Sequence, residues 1–419
     1  MLENNNIETT SRIVTVAVIE PVSCGREYLI KAKQMGLRTI LLTADMGERK
    51  VNERYRSNAD FLVKIDTNDD ELVIKKCAEL KKDIGLDAVV PGFEYYVPLA
   101  AKISKALAIP GLDADKVDVL RLKHRMREQL IANGLLAPRF FYTEDEKELT
   151  QSLRGFSYPV VVKPVDGSGS MNVVRANNLT EAINAFHTIA KNENIDMERE
   201  ALHNVLVEEY LDGPELSVEG YVEMGRTYFL SITKKFLSPE PYFVELGHII
   251  EGNFTPEQQL QIKHYTGQVV KALGILLGPF HCELRLTKNG PVLIEIGARL
   301  PGGQISELIG YAKDIDIYRI ALNCYLGISN PEPDIVLKRY AGIKFLVREG
   351  LHKFSTVSGF EEYRAKAWVK ELTMYYKAGD HIPDPTSWLG RIGYGIFTAD
   401  SYEQLYERME AFDKQVTFH

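Results

Sequence analysis

The tightest constraint on this chain lies in residues 281–296. They read His281-Cys282-Glu283-Leu284-Arg285-Leu286, then Thr287-Lys288-Asn289-Gly290, then Pro291-Val292-Leu293-Ile294-Glu295-Ile296. Both halves alternate with period two, which predicts two strands, each with one wet and one apolar face. A three-residue loop, Lys288 to Gly290 with Gly290 left-handed, pairs Thr287 with Pro291. That register sets Glu283 directly opposite Glu295, with Cβ atoms about 4.5–5.5 Å apart. Two like charges so placed repel unless something positive lies between them. Oxygen-only ligands suit a hard cation, Mg²⁺ or Mn²⁺, held by one or two carboxylates and completed by phosphate and water. The hairpin therefore predicts a metal–nucleotide site.

With 419 residues the chain is expected to form two or three domains, and 45% hydrophobic residues suffice for their cores. A net charge of -8 argues against a nucleic-acid partner. Cys24, Cys77, Cys282 and Cys324 are scattered without a C-x-x-C. Disulfide and zinc readings both fail, and a reducing, cytoplasmic location fits. Residues 1–11 are polar, so no signal peptide is expected. No run of about 18 apolar residues exists, so no membrane span is expected.

Residues 13–19, Ile-Val-Thr-Val-Ala-Val-Ile, form an unbroken apolar run of the kind buried on both faces of a parallel sheet. A turn at Gly25, a helix over 26–35, strands over 38–43 and 87–91, and a helix ending near 107 complete an open α/β pattern over residues 1–115. No G-x-G-x-x-G follows the first strand, which disfavours a dinucleotide fold. Glu94, in Pro91-Gly92-Phe93-Glu94, sits at a strand's carboxyl end, where such sheets bind ligands. The expected order continues with a linker over 116–137 containing a helix over 116–134, a small domain over 138–212 and a larger α+β domain over 213–419. Within the last, 342–347 read as a strand and 401–415 as a final helix.

Four further segments carry chemistry. Val160-Val161-Val162-Lys163-Pro164 ends a strand in a lysine, and Gly167, Ser168, Gly169 and Ser170 follow in a loop. Small residues let backbone N–H groups approach phosphate oxygens, and a lysine adds a point charge. The strand Val205-Leu206-Val207-Glu208-Glu209-Tyr210-Leu211 runs into a turn before Glu215. Its backbone at 208 and 211 suits a purine edge, and Glu215 suits ribose hydroxyls. Arg299, four residues past Glu295, precedes Leu300-Pro301-Gly302-Gly303 and suits a phosphoryl group or oxyanion. Glu245 and His248 stand in Glu-Leu-Gly-His. Each segment taken alone also reads as an ordinary polar hairpin, solvated strand end or surface turn.

Together they resemble the ATP-grasp superfamily of carboxylate–amine ligases over roughly residues 13–310. The resemblance implies an ATP-grasp fold: an N-terminal open parallel α/β domain, a small lid domain and a larger α+β domain. It implies phosphate contacts from Lys123 and Lys163, an adenine hinge over Glu208, Tyr210 and Leu211, and a ribose contact from Glu215. It also implies metal ligation by Glu283 and Glu295. Within the superfamily the chain looks most like the bacterial L-amino acid α-ligases. That likeness gives Glu94 to a substrate amino group, Glu245 and His248 to the substrate, and Arg299 with Gly302 and Gly303 to its carboxylate end. One position departs: Gly297 stands where many relatives carry an asparagine that binds metal.

The implied reaction is ATP-dependent dipeptide synthesis through an acyl phosphate, with ATP and Mg²⁺ or Mn²⁺ as cofactors and amino acids as partners. Arg299 would stabilise the oxyanion, and His248, titrating near neutrality, would orient substrate or take a proton. The alternative is a ligase joining an amino acid or other carboxylate to a different amine. A homodimer is the expected assembly.

Overall fold

In the computed structural model, residues 12–191, 196–200 and 202–419 are described. The polar segment 1–11 lies outside them. Four parallel strands open the fold: β1 (Thr15–Ile19), β2 (Arg38–Thr43), β3 (Phe61–Lys64) and β4 (Ala88–Pro91), in the order β3-β2-β1-β4. All five residues of β1 are buried, as an apolar run in a covered parallel sheet requires. Helices Glu27–Gln34 and Val97–Leu107 lie close to their expected spans. Strand β3 and helix Asp70–Ile84 are additions to the sequence reading. β3 is a mostly exposed edge strand whose apolar run, Phe61-Leu62-Val63, is shorter than the one that marks β1.

The loops after β1 and β4 touch backbone to backbone. A Cβ on Gly25 would fall 1.8 Å from the carbonyl oxygen of Gly92. Only glycine allows that approach, and it fixes the turn Glu94–Tyr96 at the sheet's carboxyl end.

The single helix expected over 116–134 is a correction. A 3-10 turn spans Val117–Leu120, and the α-helix begins only at Lys123 and ends at Ala132. Leu122 is extended and breaks the two apart. The first N–H groups of a helix have no partner within it. That of Lys123 donates instead to the Val165 carbonyl at 2.9 Å, tying this helix to the glycine loop.

A second, antiparallel sheet holds β5 (Phe140–Thr143), β6 (Val160–Pro164), β7 (Val174–Ala176) and β8 (Val205–Glu209), in the order β5-β8-β6-β7. Helices Glu146–Leu153 and Leu179–Ala190 cover it around a separate core of Leu149, Val160, Val162, Phe186 and Val207.

The third sheet has eight strands: β9 (Glu215–Glu223), β10 (Arg226–Leu237), β11 (Glu245–Ile250), β12 (Gly278–Thr287), β13 (Gly290–Gly297), β14 (Tyr340–Leu346), β16 (Val369–Met374) and β17 (Gly393–Ala399). Their order is β13-β12-β9-β10-β11-β14-β17-β16. A small ribbon of β15 (Val357–Ser358) and β18 (Thr417–Phe418) stands beside it. The C-terminal region thus extends the same sheet, and helix Tyr402–Gln415 packs there through Met409 and Phe412.

Helices Ile305–Lys313 and Ile317–Leu326 join the parallel sheet to the large one. One core contains Val16, Val18 and Val90 from the first sheet, Leu308 and Leu322 from these helices, and Ile343 and Phe345 from the last. That shared core holds Glu94 against the end of β13. Among the described residues no helix is long and apolar enough to cross a membrane.

Candidate active site

Glu283 and Glu295 face each other across β12 and β13. The route to that register differs from expectation. The turn is one residue shorter, Lys288-Asn289, with Thr287 opposite Gly290. Gly290 has the positive φ expected of it, +112°, but it belongs to the strand. A bulge then leaves Ile294 without a partner, between Leu284↔Leu293 and Glu283↔Glu295. A bulge sets two residues against one, and here it cancels the short turn.

Each carboxylate already meets an ammonium. Lys235 Nζ lies 2.7 Å from Glu283 Oε1, and Lys123 Nζ lies 3.2 Å from Glu295 Oε1. His281 Nε2 also reaches Glu283, at 2.9 Å, while its Nδ1 meets Glu219 Oε1 at 2.9 Å. Glu219 in turn accepts from the hydroxyls of Ser217, Ser231 and Thr233. Burial pushes the Glu283 carboxyl up, but Lys235 and His281 outweigh it and hold it well below the usual range. His281 is lowered by burial and raised by more through Glu219 and Glu283, favouring imidazolium. Among the described residues no three His, Cys, Asp or Glu side chains cluster as a metal cage. Two facing carboxylates, each already drawing an ammonium, fit a hard divalent ion whose other ligands come from phosphate and water.

The expected phosphate residues converge on the same edge. Lys123 Nζ donates to the Gly167 carbonyl at 2.6 Å as well as meeting Glu295. Lys163 Nζ lies 2.6 Å from Glu208 Oε2, and Arg127 Nε donates to Glu208 Oε1 at 2.7 Å. Arg127 also donates to the Ile294 carbonyl, linking β8 to the bulge. Burial lowers the Lys163 ammonium by more than Glu208 raises it. At Glu208 the two cations outweigh burial and bring the carboxyl down to about 2. The expected adenine hinge relies on the backbone of Glu208. That backbone lies in a central strand, opposite Phe140 on one side and Val161 on the other.

In the glycine loop, Gly169 and Ser170 have φ of +62° and +59°. Ser168 Oγ is 3.2 Å from the Tyr95 hydroxyl. A Cβ on Gly169 would lie 2.6 Å from Trp388 Cδ1. The Leu211 carbonyl and the Tyr210 hydroxyl each accept from Arg285, at 3.0 and 3.1 Å. Glu215 accepts from the same arginine at 3.3 Å.

Glu94, expected to face a substrate ammonium, already has protein partners. It is buried and bonded by Arg299 Nε, with Arg121 Nη1 at 3.4 Å. Burial raises its carboxyl, but Arg299 and Arg121 hold it lowered overall. Two guanidinium groups, rather than open solvent, surround the oxygens the sequence reserves for an ammonium. Gly297 explains itself here: a Cβ would sit 2.6 Å from Glu94 Oε2, so an asparagine would strike that carboxylate.

His248 is the second correction. It is fully buried, with no hydrogen bond to either ring nitrogen, and burial lowers it to about 4 despite Glu245. It is therefore neutral at pH 7, not poised near neutrality. Its Nε2 lies 3.7 Å from Glu245, and a Cβ on Gly303 would come within 2.7 Å of it. Gly302 stands near Ser23, with a Cβ 3.9 Å from its hydroxyl.

Arg121, Lys235, Arg391 and Trp388 were not expected from the sequence, and neither were Arg127, His281, Glu219 and Arg285. Arg121 and Lys235 are described above. Arg391 Nη2 donates to Glu245 Oε2 at 2.7 Å and covers Phe345 at 3.9 Å. Trp388 meets the glycine loop. A detectable signal existed for Lys235: Ser231, Thr233 and Lys235 alternate on one face of β10. A separate cavity of about 540 Å³, lined by Phe229, Ser231, Glu251, Lys313 and Tyr402 among others, includes none of the site residues expected from the sequence.

Facing carboxylates, convergent lysines and a glycine loop at the junction of these three sheets define an ATP-dependent carboxylate–amine ligase. The chain belongs to the ATP-grasp superfamily and, within it, is of the L-amino acid ligase type. Residues 156–307 match the ATP-grasp domain, 29–111 the ATP-grasp N-terminal domain, and 345–419 the L-amino acid ligase C-terminal domain 2. The crystal structure of L-amino acid ligase from Bacillus licheniformis superposes with TM-score 0.83 at 26% identity, over 98% of this chain and 99% of that one. Dapdiamide A synthase of Enterobacter agglomerans is 31% identical across 54% of this chain and 55% of its own length. The L-arginine-specific L-amino acid ligase of Bacillus subtilis is 22% identical across 80% of each.

Proposed function

We propose that the chain joins two L-amino acids into a dipeptide through an acyl phosphate, releasing ADP and phosphate. One observation carries this reading: Glu295, opposite Glu283, is tied through Lys123 to the Gly167 carbonyl of the glycine loop. That places two acidic groups, a lysine and a phosphate-type loop around one point. Likeness to two amino acid ligases and to dapdiamide A synthase supports amide formation.

Lys123, Lys163 and the loop 166–171 position the phosphates of ATP, the 208–211 segment receives adenine, and Glu215 the ribose. Glu283 and Glu295 would hold a divalent metal, which when bound offsets charge on the transferring phosphoryl group. A carboxylate oxygen of the first amino acid attacks the γ-phosphorus, and the bond to ADP breaks. The amine of the second attacks the carbonyl carbon, loses a proton, and phosphate leaves. Arg299 donates to the tetrahedral oxyanion. Neutral His248 orients substrate as a hydrogen-bond acceptor, with Glu245 and the small Gly302-Gly303 turn beside it. The 138–212 domain serves as the lid that keeps water from the acyl phosphate, and the assembly is a homodimer.

The test is phosphate release with ATP, Mg²⁺ and the twenty amino acids, singly and in pairs, with other amines as acceptors and product masses recorded. Release that requires amino acids, with a product equal to two of them less water, is expected. Release indifferent to amino acids, or a product only with other amines, overturns the reading.

A further inference from the structure

Two polar atoms between the parallel sheet and β13 are buried without a hydrogen bond: Oε1 of Glu94 and Nη1 of Arg121. They stand 3.4 Å apart as an ion pair, yet neither completes the other. Both side chains are pinned elsewhere. Arg121 Nη2 donates to the Asp166 carbonyl at 2.6 Å, and its guanidinium lies over the Tyr95 ring at 4.5 Å. Glu94 Oε2 is engaged by Arg299 Nε. Leaving a buried charged donor or acceptor unfilled is costly. An open acceptor beside an open donor is the complement of a ligand that carries a donor beside an acceptor.

We propose that Glu94 and Arg121 form one receptor for the charged head of an α-amino acid, with its ammonium on Glu94 Oε1 and its carboxylate on Arg121 Nη1. The proposal rests on the ligase reading and adds Arg121 as a specificity-determining residue. Bound this way, four charges of alternating sign stand at the corners of a square. Each has two neighbours of opposite sign. The carboxylate lies beside the glycine loop, because Arg121 is anchored to Asp166 and Lys123 to Gly167.

An α-amino acid carries its nitrogen and carboxylate on one carbon, which suits a donor and acceptor in contact. A β-amino acid inserts a methylene and cannot satisfy both atoms without parting them. Sites with buried polar groups reject analogues that leave those groups unpaired. Gly297 belongs to the same device, since a Cβ there would lie 2.6 Å from Glu94 Oε2 and 3.2 Å from Oε1.

The experiment compares the full-length parent with Arg121→Lys and Gly297→Ala. Binding of each of the twenty L-amino acids is measured by calorimetry with a non-hydrolysable ATP analogue and Mg²⁺. The tightest binder is then paired with its β-homologue. Arg121→Lys keeps the charge but loses the fork. It should weaken the α-amino acid about tenfold or more and shrink its advantage over the β-homologue, as expected for a lost charge-assisted hydrogen bond. ATP-analogue affinity should fall by less than amino-acid affinity, since Arg121 also anchors the Asp166 carbonyl of the phosphate loop, and retained analogue binding reports a folded lid. Gly297→Ala reaches the same pair from β13 and should do likewise. Unchanged amino-acid affinity and α/β ratio in both variants, or weakening confined to the ATP analogue, overturns the proposal. A parent that binds no amino acid overturns it as well. A parent that binds amino acids through Arg121 but releases no phosphate upholds the receptor while removing the ligase reading.

Discussion

Glu208 and Glu94 are both buried carboxylates held between two cations, and they are completed differently. Glu208 has both oxygens filled, by Arg127 at 2.7 Å and Lys163 at 2.6 Å. Glu94 has one oxygen on Arg299 and the other left without a hydrogen bond beside Arg121. The first arrangement closes a joint between β8, β6 and the helix Lys123–Ala132. The second leaves donor and acceptor capacity at the end of β13. A filled ion pair fixes structure, whereas a half-filled one in the same fold is where a charged ligand has something to gain.

The largest expected effect tests the filled side. Glu208→Ala strands Lys163 and Arg127 in a buried site and should destabilise by about 3–5 kcal/mol, read from the urea midpoint. Glu94→Ala should cost clearly less stability, because Arg299 remains partly solvated. Equal losses would break the comparison. On the open side, Arg299→Ala should reduce kcat by about a hundredfold to a thousandfold, near 3 kcal/mol. A change confined to KM for ATP would move Arg299 out of the chemical step.

His248 sharpens the comparison through pH. Its folded value, about 4, lies below its ordinary 6.5, because burial disfavours the imidazolium. The unfolded chain therefore takes up the proton first as pH falls. The stabilising contribution is complete above pH 6.5 and is lost on descending to about 4. The difference amounts to about 3 kcal/mol. Unfolding midpoints of parent and His248→Asn should converge across that window. Parallel pH curves would show that the ring is solvated.

The smallest effect belongs to Trp388, half-exposed against Gly169. Trp388→Ala should cost about 1 kcal/mol or less while speeding hydrogen exchange in residues 166–171. An unchanged loop would detach the C-terminal region from the lid.

What the sequence disclosed follows from what is local. The apolar run of β1, the alternation of β12 and β13 and the Gly-rich loop are set by neighbours in the chain, and each folds as its pattern implies. The Glu283–Glu295 pairing was legible only because two unseen deviations cancel, a shorter turn and the bulge at Ile294. Helix Lys123–Ala132 starts late because Lys123 bonds to Val165, a partner far along the chain. His248 carries no mark of its burial, which comes from packing against Phe345 and Gly303. Arg391 and Trp388 belong to a region whose sequence shows no motif, and they enter the site because β17 joins β14. Gly297 stands in place of a metal-binding asparagine because Glu94, from the turn after β4, fills the space a side chain would need.

The most direct test of the central claim follows oxygen atoms. An amino acid labelled with ¹⁸O in its carboxylate is incubated with ATP, Mg²⁺, a second amino acid and the protein, and the released phosphate is weighed by mass spectrometry. If the carboxylate attacks the γ-phosphorus, one labelled oxygen leaves with each phosphate. Phosphate carrying only unlabelled oxygen would contradict the account, because ATP would then be cleaved without activating the acid.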